Sequence, residues 1–259
     1  MSTIVSSLVT SVRPVLLVAV ASQLEARAIR EGLGLDPSPA AASGPRVGDT
    51  PWILERVGPG VELVVTGVGK VNAAAAVAST LEPHRHVGVL SLGIAGILPQ
   101  DGPRPVIGDV VVASAMRYPD EGLETPDGYR SLAQLGFPHG PFDGGLGFAA
   151  TPDWAATLHQ RLGAALARND SACRVHLGPI ATVSTCSGTD ALAQQVYSRT
   201  EAIAEAMEGA AVCQVAAWRA MKFAEVRVLS NTTGNRASQQ WDMKGALYVL
   251  GRVAAAICL

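Results

Sequence analysis

The sequence predicts a single-domain α/β/α sandwich on a mixed, mostly parallel sheet. Three observations carry this. Short apolar runs alternate with amphipathic or alanine-rich segments along the whole chain, the pattern of strands joined by crossover helices. No linker or internal repeat divides the 259 residues. A composition of 48% hydrophobic and 16% charged residues is that of a chain with a large core, not a disordered one. Residues 1–12 read as a tail, which leaves 13–259 as the domain.

Residues 15–21 (VLLVAVA) form a continuous apolar run, as expected of a strand buried on both faces. Ser22 then caps a helix from Gln23, with Glu25 at the capping-box position. Residues 35–50, rich in Pro, Ala, Gly and Ser, read as a loop. Residues 52–57 and 61–66 pair as strands around Pro59-Gly60. A glycine turn over 67–70 leads into an alanine-rich helix over 71–81. The strand over 87–92 ends in Gly93-Ile94-Ala95-Gly96, read as a tight backbone passage. Gly108-Asp109 precedes a strand over 110–114. Residues 119–148 are dense in Gly and Pro and lack periodicity, the mark of a functional or mobile loop. A helix over 154–167, a strand within 174–184 and a helix over 190–198 follow. A short strand over 202–207 carries one acid, Glu205. A helix over 208–221, an alternating strand over 224–230 and a helix over 245–258 close the chain.

Composition also excludes. A formal net charge of −2 provides no basic footprint for nucleic acid. No apolar run approaches the ~18 residues that span a bilayer. The N-terminal run is short, only Arg13 precedes it as a positive charge, and Glu25, Arg27, Arg30 and Glu31 follow it. A secretory leader is therefore not expected, and a cytoplasmic protein is. Cys173, Cys186, Cys213 and Cys258 form no C-x-x-C pair, and the histidines offer no zinc spacing. The cysteines read as buried thiols, and no metal is expected.

In a fold of this class, ligands sit beyond the carboxyl ends of strands, here just after Ala21, Thr66, Leu92, Met207 and Ser230. Gly67-Val68-Gly69-Lys70 lacks the spacing of a phosphate loop, and Val71 stands where Ser or Thr is needed. Gly93-Ile94-Ala95-Gly96 contains no serine for a nucleophile elbow. Cys186 has no histidine nearby in the sequence to activate it. Three polar residues survive: Glu25, Glu208 and Asn231. Each has a plain alternative, as a helix cap, a dipole partner or a turn residue. Their functional reading rests on all three facing one rim.

The order of motifs resembles the nucleoside phosphorylase and nucleosidase superfamily. The segments that carry the likeness are Thr66-Gly67-Val68-Gly69-Lys70-Val71-Asn72-Ala73-Ala74, the passage Gly93–Gly96, the stretch Ile107–Ser114, Glu205-Ala206-Met207-Glu208-Gly209-Ala210-Ala211 and Arg227-Val228-Leu229-Ser230-Asn231. Within the superfamily the chain is most similar to the futalosine hydrolase family. That likeness lies in Leu123-Glu124-Thr125-Pro126-Asp127-Gly128-Tyr129, in Leu132 to Phe137, in Thr182-Val183-Ser184-Thr185 and in Ser230-Asn231-Thr232-Thr233-Gly234.

The resemblance implies hydrolysis of the N-glycosidic bond of a purine nucleoside, in an alternative route to menaquinone if the substrate is futalosine. It casts Glu25 as the acid that deprotonates the attacking water and Glu208 as the acid that holds the ribose hydroxyls. Met207 packs on the sugar, and Asn231 recognises the base. Ala95 and Gly96 form the backbone passage beside the base. Cys186 and Ser187 fall where relatives place a base-stacking aromatic, a ring this sequence lacks. Trp241 falls near an aromatic over the 5′ side. Walls for an aryl 5′ substituent are expected from Trp241, Phe137 and Tyr129, and a cation for its carboxylate from Arg236 or Arg117. The resemblance implies no metal or organic cofactor, and a homo-oligomer whose partner is a small purine nucleoside. Alternatives are a 5′-methylthioadenosine/S-adenosylhomocysteine nucleosidase, a phosphate-dependent phosphorylase and a non-catalytic nucleoside-binding relative. Glu25 in the first turn and the absence of an arginine in Ser91-Leu92 favour water over phosphate as the nucleophile.

Overall fold

The structure, a computed structural model, describes residues 14–38, 51–168 and 173–258. The tail expected over 1–12, and most of the loop expected over 35–50, lie outside the described residues. Eleven strands and six α-helices follow in the order β1 (Val15–Val20), α1 (Gln23–Gly32), β2 (Glu55–Gly58), β3 (Val61–Val65), α2 (Lys70–Thr80), β4 (His86–Ile97), β5 (Val110–Arg117), β6 (Gly122–Thr125), β7 (Gly128–Ser131), β8 (Gly147–Ala149), α3 (Pro152–Ala167), β9 (Val175–Thr182), α4 (Asp190–Thr200), β10 (Ala204–Ala206), α5 (Gly209–Trp218), β11 (Lys222–Thr232) and α6 (Met243–Cys258).

The central sheet runs β10-β9-β5-β11-β4-β1-β3-β2, with β8 added on β5. Its middle, β11-β4-β1-β3, is wholly parallel. β11 meets β5 antiparallel, and β2 meets β3 antiparallel. β10 also pairs antiparallel with the far end of β4, so the sheet curls until β4, β11, β5, β9 and β10 close a ring. α1, α6 and α3 pack in series along the sheet, and α2 packs against α5. The side chains of Leu17, Val64, Val89, Leu90, Leu92, Val110, Val112, Val226 and Val228 are completely buried between these layers. At about 25 cal/mol per Å² of apolar surface, each contributes on the order of 1.5–3 kcal/mol. Among the described residues no helix is long and apolar enough to cross a membrane.

Four sequence expectations change. The strand expected over 87–92 does not end at the Gly93–Gly96 passage. β4 continues through it to Ile97, because β11 covers one edge and β10 the other. β11 likewise runs past Ser230, so Asn231 is a strand residue. The stretch 119–148 holds a hairpin, β6-β7, and strand β8. Its tight turns need Gly and Pro, which hid the short strands between them. Of the four cysteines expected to be buried, Cys213 is, Cys173 and Cys258 are partly exposed, and Cys186 is exposed on the loop after β9.

Candidate active site

The carboxyl ends of β1, β4, β10 and β11 converge on a cavity of about 280 Å³. Its lining includes Glu25, Ile94, Ala95, Gly96, Cys186, Glu205, Met207, Glu208, Asn231 and Trp241. Two acids distant in the sequence therefore face one space.

Glu25 is held by its own helix. Ser22 ends β1 in an extended conformation and closes a capping box with Glu25, as the sequence predicted. Glu25 Oε2 accepts from Ser22 N and Ser22 Oγ, both at 2.9 Å, and Oε1 accepts from Ile94 N at 3.1 Å. The cap and the cavity-lining acid are one residue. A carboxylate offers about four lone-pair sites, so these bonds leave one open on Oε1. Burial raises the Glu25 pKa; the nearby Arg227 and the bonds from Ile94 and Ser22 oppose that, and the charge of Glu208 adds to it.

Glu208 sits at the junction of β10 and α5, one residue before the helix. Its Oε1 accepts from Gly69 N at 3.0 Å and its Oε2 from Met207 N at 3.3 Å. The glycine turn before α2 thus aims a backbone N–H at Glu208. The helix start that Glu208 leaves uncapped is served by Thr182 Oγ1, which accepts from Ala210 N at 2.8 Å.

Near both acids lies a residue that belongs to the 227–231 motif but had no role assigned from sequence. Arg227, on β11, is 1% exposed. It donates to Glu225 Oε1 at 2.7 Å and to Ser91 Oγ at 2.9 Å, and its Nη2 lies 3.5 Å from Glu208 Oε2. Glu225 and Arg227 stand two apart on one face of a strand whose residues 223–229 are otherwise apolar. That interruption of the pattern was a readable signal of a buried pair. Gly93 explains why β4 needs glycine. A methyl group there would overlap both Glu25 Oε1 and the Arg227 guanidinium. The strand is thinned so that acid and cation meet across it.

At the other end of the cavity, Ser230 Oγ donates to Asn231 Oδ1 at 2.8 Å, and Asn231 Nδ2 donates to Thr232 O at 3.0 Å. The amide is held with its oxygen bound and one N–H unused, not two. Glu205, 5% exposed, accepts from Ser187 N at 2.7 Å and from Ser187 Oγ at 2.6 Å. Burial raises its pKa, and the Ser187 bonds oppose that. Ser187 is therefore the partner of an acid that lines the cavity, although it does not line the cavity itself.

The remaining candidates divide. Trp241 bridges to Asn231 and lines the cavity, and the Arg236 guanidinium stacks on its ring at 4.8 Å without lining it. Phe137 is 71% exposed and lies outside the lining. Tyr129 donates to Glu121 O from the hairpin, at a separate groove. Arg117 is committed to Asp143, with Nε 2.5 Å from Oδ2. Tyr129 and Arg117 are engaged by partners away from the cavity and Phe137 is exposed, which sequence alone could not reveal. Among the described residues, no lysine or arginine lines this cavity.

Comparison with known proteins agrees with this architecture. Chain residues 16–258 match the family described as the phosphorylase superfamily. The chain is 34% identical to a futalosine hydrolase of Acidothermus cellulolyticus, over 95% of this chain and 91% of that one. It is 32% identical to a futalosine hydrolase of Streptomyces coelicolor, over 91% of each. A solved 5′-methylthioadenosine/S-adenosylhomocysteine nucleosidase of Neisseria meningitidis, in complex with methylthio-immucillin-A, superposes with a TM-score of 0.71 at 20% identity, covering 94% of this chain and 97% of that one. The S-adenosylhomocysteine nucleosidase of Streptococcus pyogenes gives 0.68 at 22% identity, covering 96% and 100%. The family match over residues 16–258 and the identity to two relatives across nearly the whole chain lead to one conclusion: this protein belongs to the phosphorylase superfamily.

Proposed function

We propose that this protein hydrolyses the N-glycosidic bond of futalosine, releasing hypoxanthine. The observation that carries the reading is the convergence of Glu25 and Glu208 on one cavity whose lining, among the described residues, offers no lysine or arginine. Cleaving a ribosyl–purine bond builds positive charge on the sugar and negative charge on the base. The barrier falls when fixed charges and dipoles match both. Glu208, held by Gly69 N and Met207 N, accepts from the ribose hydroxyls and stabilises the cationic sugar. Glu25 takes a proton from water on its remaining Oε1 lone pair. A base with a raised pKa suits that task, because it binds the proton more firmly. Met207 packs against the sugar, and Ala95 and Gly96 flank the base. Asn231 gives its unused N–H to the N7/O6 edge.

Phosphorolysis is disfavoured by the same geometry. An attacking phosphate would meet Glu25 and Glu208, and the nearby Arg227 is fully buried and already bound to Glu225 and Ser91. The futalosine assignment, over a methylthioadenosine nucleosidase, draws on the two curated relatives and on Asn231 as a donor to a 6-oxopurine. Trp241, with Arg236 stacked on it, is the side of the cavity suited to an aryl 5′ substituent bearing a carboxylate. Leu24, Val68, Met243 and Trp241 line the cavity yet stay exposed, an apolar rim that a second copy of the chain would cover. The protein is incubated with futalosine, methylthioadenosine or inosine, with and without phosphate, and the products are separated by chromatography. Release of hypoxanthine from futalosine independent of phosphate is the expected result. Phosphate dependence, or turnover of methylthioadenosine alone, refutes the assignment.

A further inference from the structure

One buried acid has no part in the chemistry above. Glu225 is 1% exposed and does not line the cavity. Its Oε1 accepts from Arg227 Nε at 2.7 Å. The other arms of the guanidinium face the two cavity acids. Nη2 donates to Ser91 Oγ at 2.9 Å and lies 3.5 Å from Glu208 Oε2. A Cβ on Gly93 would overlap both Nη1 and Glu25 Oε1, so those two atoms face each other across that glycine. The guanidinium is planar and rigid, and holding Nε fixes where both Nη atoms point.

Folding alone gives little reason for this acid. Glu225 Oε2 is buried and has no hydrogen-bond partner among the described residues. A buried acceptor left unpaired is destabilising. The carboxyl group also lies against the first residue of α5, where a Cβ on Gly209 would overlap it. Strand and helix both yield space to a group that is poorly satisfied there.

We propose that Glu225 is a positioning residue for the hydrolysis: it orients Arg227 toward Glu25 and Glu208 and offsets part of its charge, so that Glu25 remains able to take the proton of water. The inference rests on the nucleosidase reading above and adds to it a residue outside the cavity. Three carboxyl groups surround one cation. Without Glu225, the whole charge of Arg227 would fall on the two acids of the cavity. A carboxylate held firmly ionised by a neighbouring cation is a poor base. The groups that act on Glu25 are Arg227 of β11, Ile94 N of β4, Ser22 of its own cap and Glu208 before α5. Those that act on Glu225 are Arg227, Glu208 and, from α5, the buried Cys213. Arg227 is the cation common to both sets.

The test is the pH profile of kcat/KM for futalosine in wild type and Glu225→Gln. The amide keeps the shape and an acceptor for Nε but removes the charge. Arg227 is then unopposed and favours the Glu25 carboxylate. The acid limb should move to lower pH by about one pH unit. A merely structural role would lower activity alike at every pH. A limb displaced by less than about 0.3 pH unit, in a variant that hydrolyses futalosine, overturns the charge-offsetting role and leaves the nucleosidase reading intact. A wild type that cleaves no purine nucleoside removes both. Glu225→Leu also releases Nε, and its kcat above the limb should lie at least about tenfold below that of Glu225→Gln. Equal values overturn the orienting role. Should neither variant fold, an NMR titration of the side-chain carboxyl groups in the wild type decides. Glu225 ionised over the range in which Glu25 gains its proton supports the proposal, and Glu225 protonated there refutes it.

Discussion

The two ends of the cavity are built on opposite electrostatic plans. At the end holding Glu25 and Glu208, a fully buried cation, Arg227, stands behind the acids. At the end holding Asn231 and Glu205, the two side chains are hydrogen-bonded to neutral groups: Ser187, Ser230 and a backbone carbonyl. The contrast has a physical sense. Charge that must change during a reaction needs acids kept close together, and close acids need a counter-charge to stay ionised. Recognition of a neutral base needs only donors and acceptors in fixed places, which polar neutral partners hold at less desolvation cost.

The largest expected effect tests the charged end. Glu25→Gln keeps the shape and the cap but cannot take a proton. It should lower kcat about 10²–10⁴-fold, read in a steady-state assay of hypoxanthine release. A loss under about threefold would erase the distinction between the two ends. Next is the cation itself. Arg227→Met leaves Glu225 and Glu208 without their counter-charge in the interior. By the usual cost of breaking a buried pair, it should reduce unfolding free energy by about 3–5 kcal/mol in urea titration. A change below about 1 kcal/mol would mean that the acids are not held by charge. The neutral end should respond more gently. Asn231→Asp should move the preference toward 6-aminopurines by about 1–3 kcal/mol, seen as a change in the ratio of kcat/KM values. An unaltered ratio would sever Asn231 from the base.

The smallest effect is a matter of sign. Glu205 binds its proton more firmly in the folded chain than in the unfolded one, because burial raises its pKa. Between the ordinary carboxylate value and that raised value, the folded state holds more protons. Stability attributable to this group therefore falls as pH rises through the window. Glu205→Gln removes the titration. The melting temperature of the variant relative to wild type should rise as pH goes up, and a constant difference across pH would contradict the buried acid. Glu25 shifts in the same direction, so the acid limb of activity should lie above the usual carboxylate range.

Much of the architecture was legible. The apolar run at 15–21, the Ser22/Glu25 cap and the alanine-rich helices lie where their patterns put them, because local burial and capping are local facts. The pairing of Glu25 with Glu208 was anticipated from strand ends and resemblance. Arg227 and Glu205 were not. Each sits inside a strand whose neighbours are apolar, and a charge in such a place becomes informative only once its partner is known. The roles expected for Phe137, Tyr129 and Arg117 failed to assemble for the converse reason. Gly- and Pro-rich sequence does not reveal that Tyr129, Phe137 and Arg117 stand outside the cavity lining.

By itself, the order of residues determined the alternation of strand and helix, the composition of the core and which side chains can carry acid–base chemistry. Those follow from periodicity, apolar content and pKa, which are properties of short segments. Only the folded chain decided that β4 runs on through Gly93 and Gly96, that β10 closes the ring against it, and that acid meets arginine across one glycine while acid faces amide across another. Such juxtapositions depend on register between strands more than a hundred residues apart in the chain, and nothing within a local window encodes that distance.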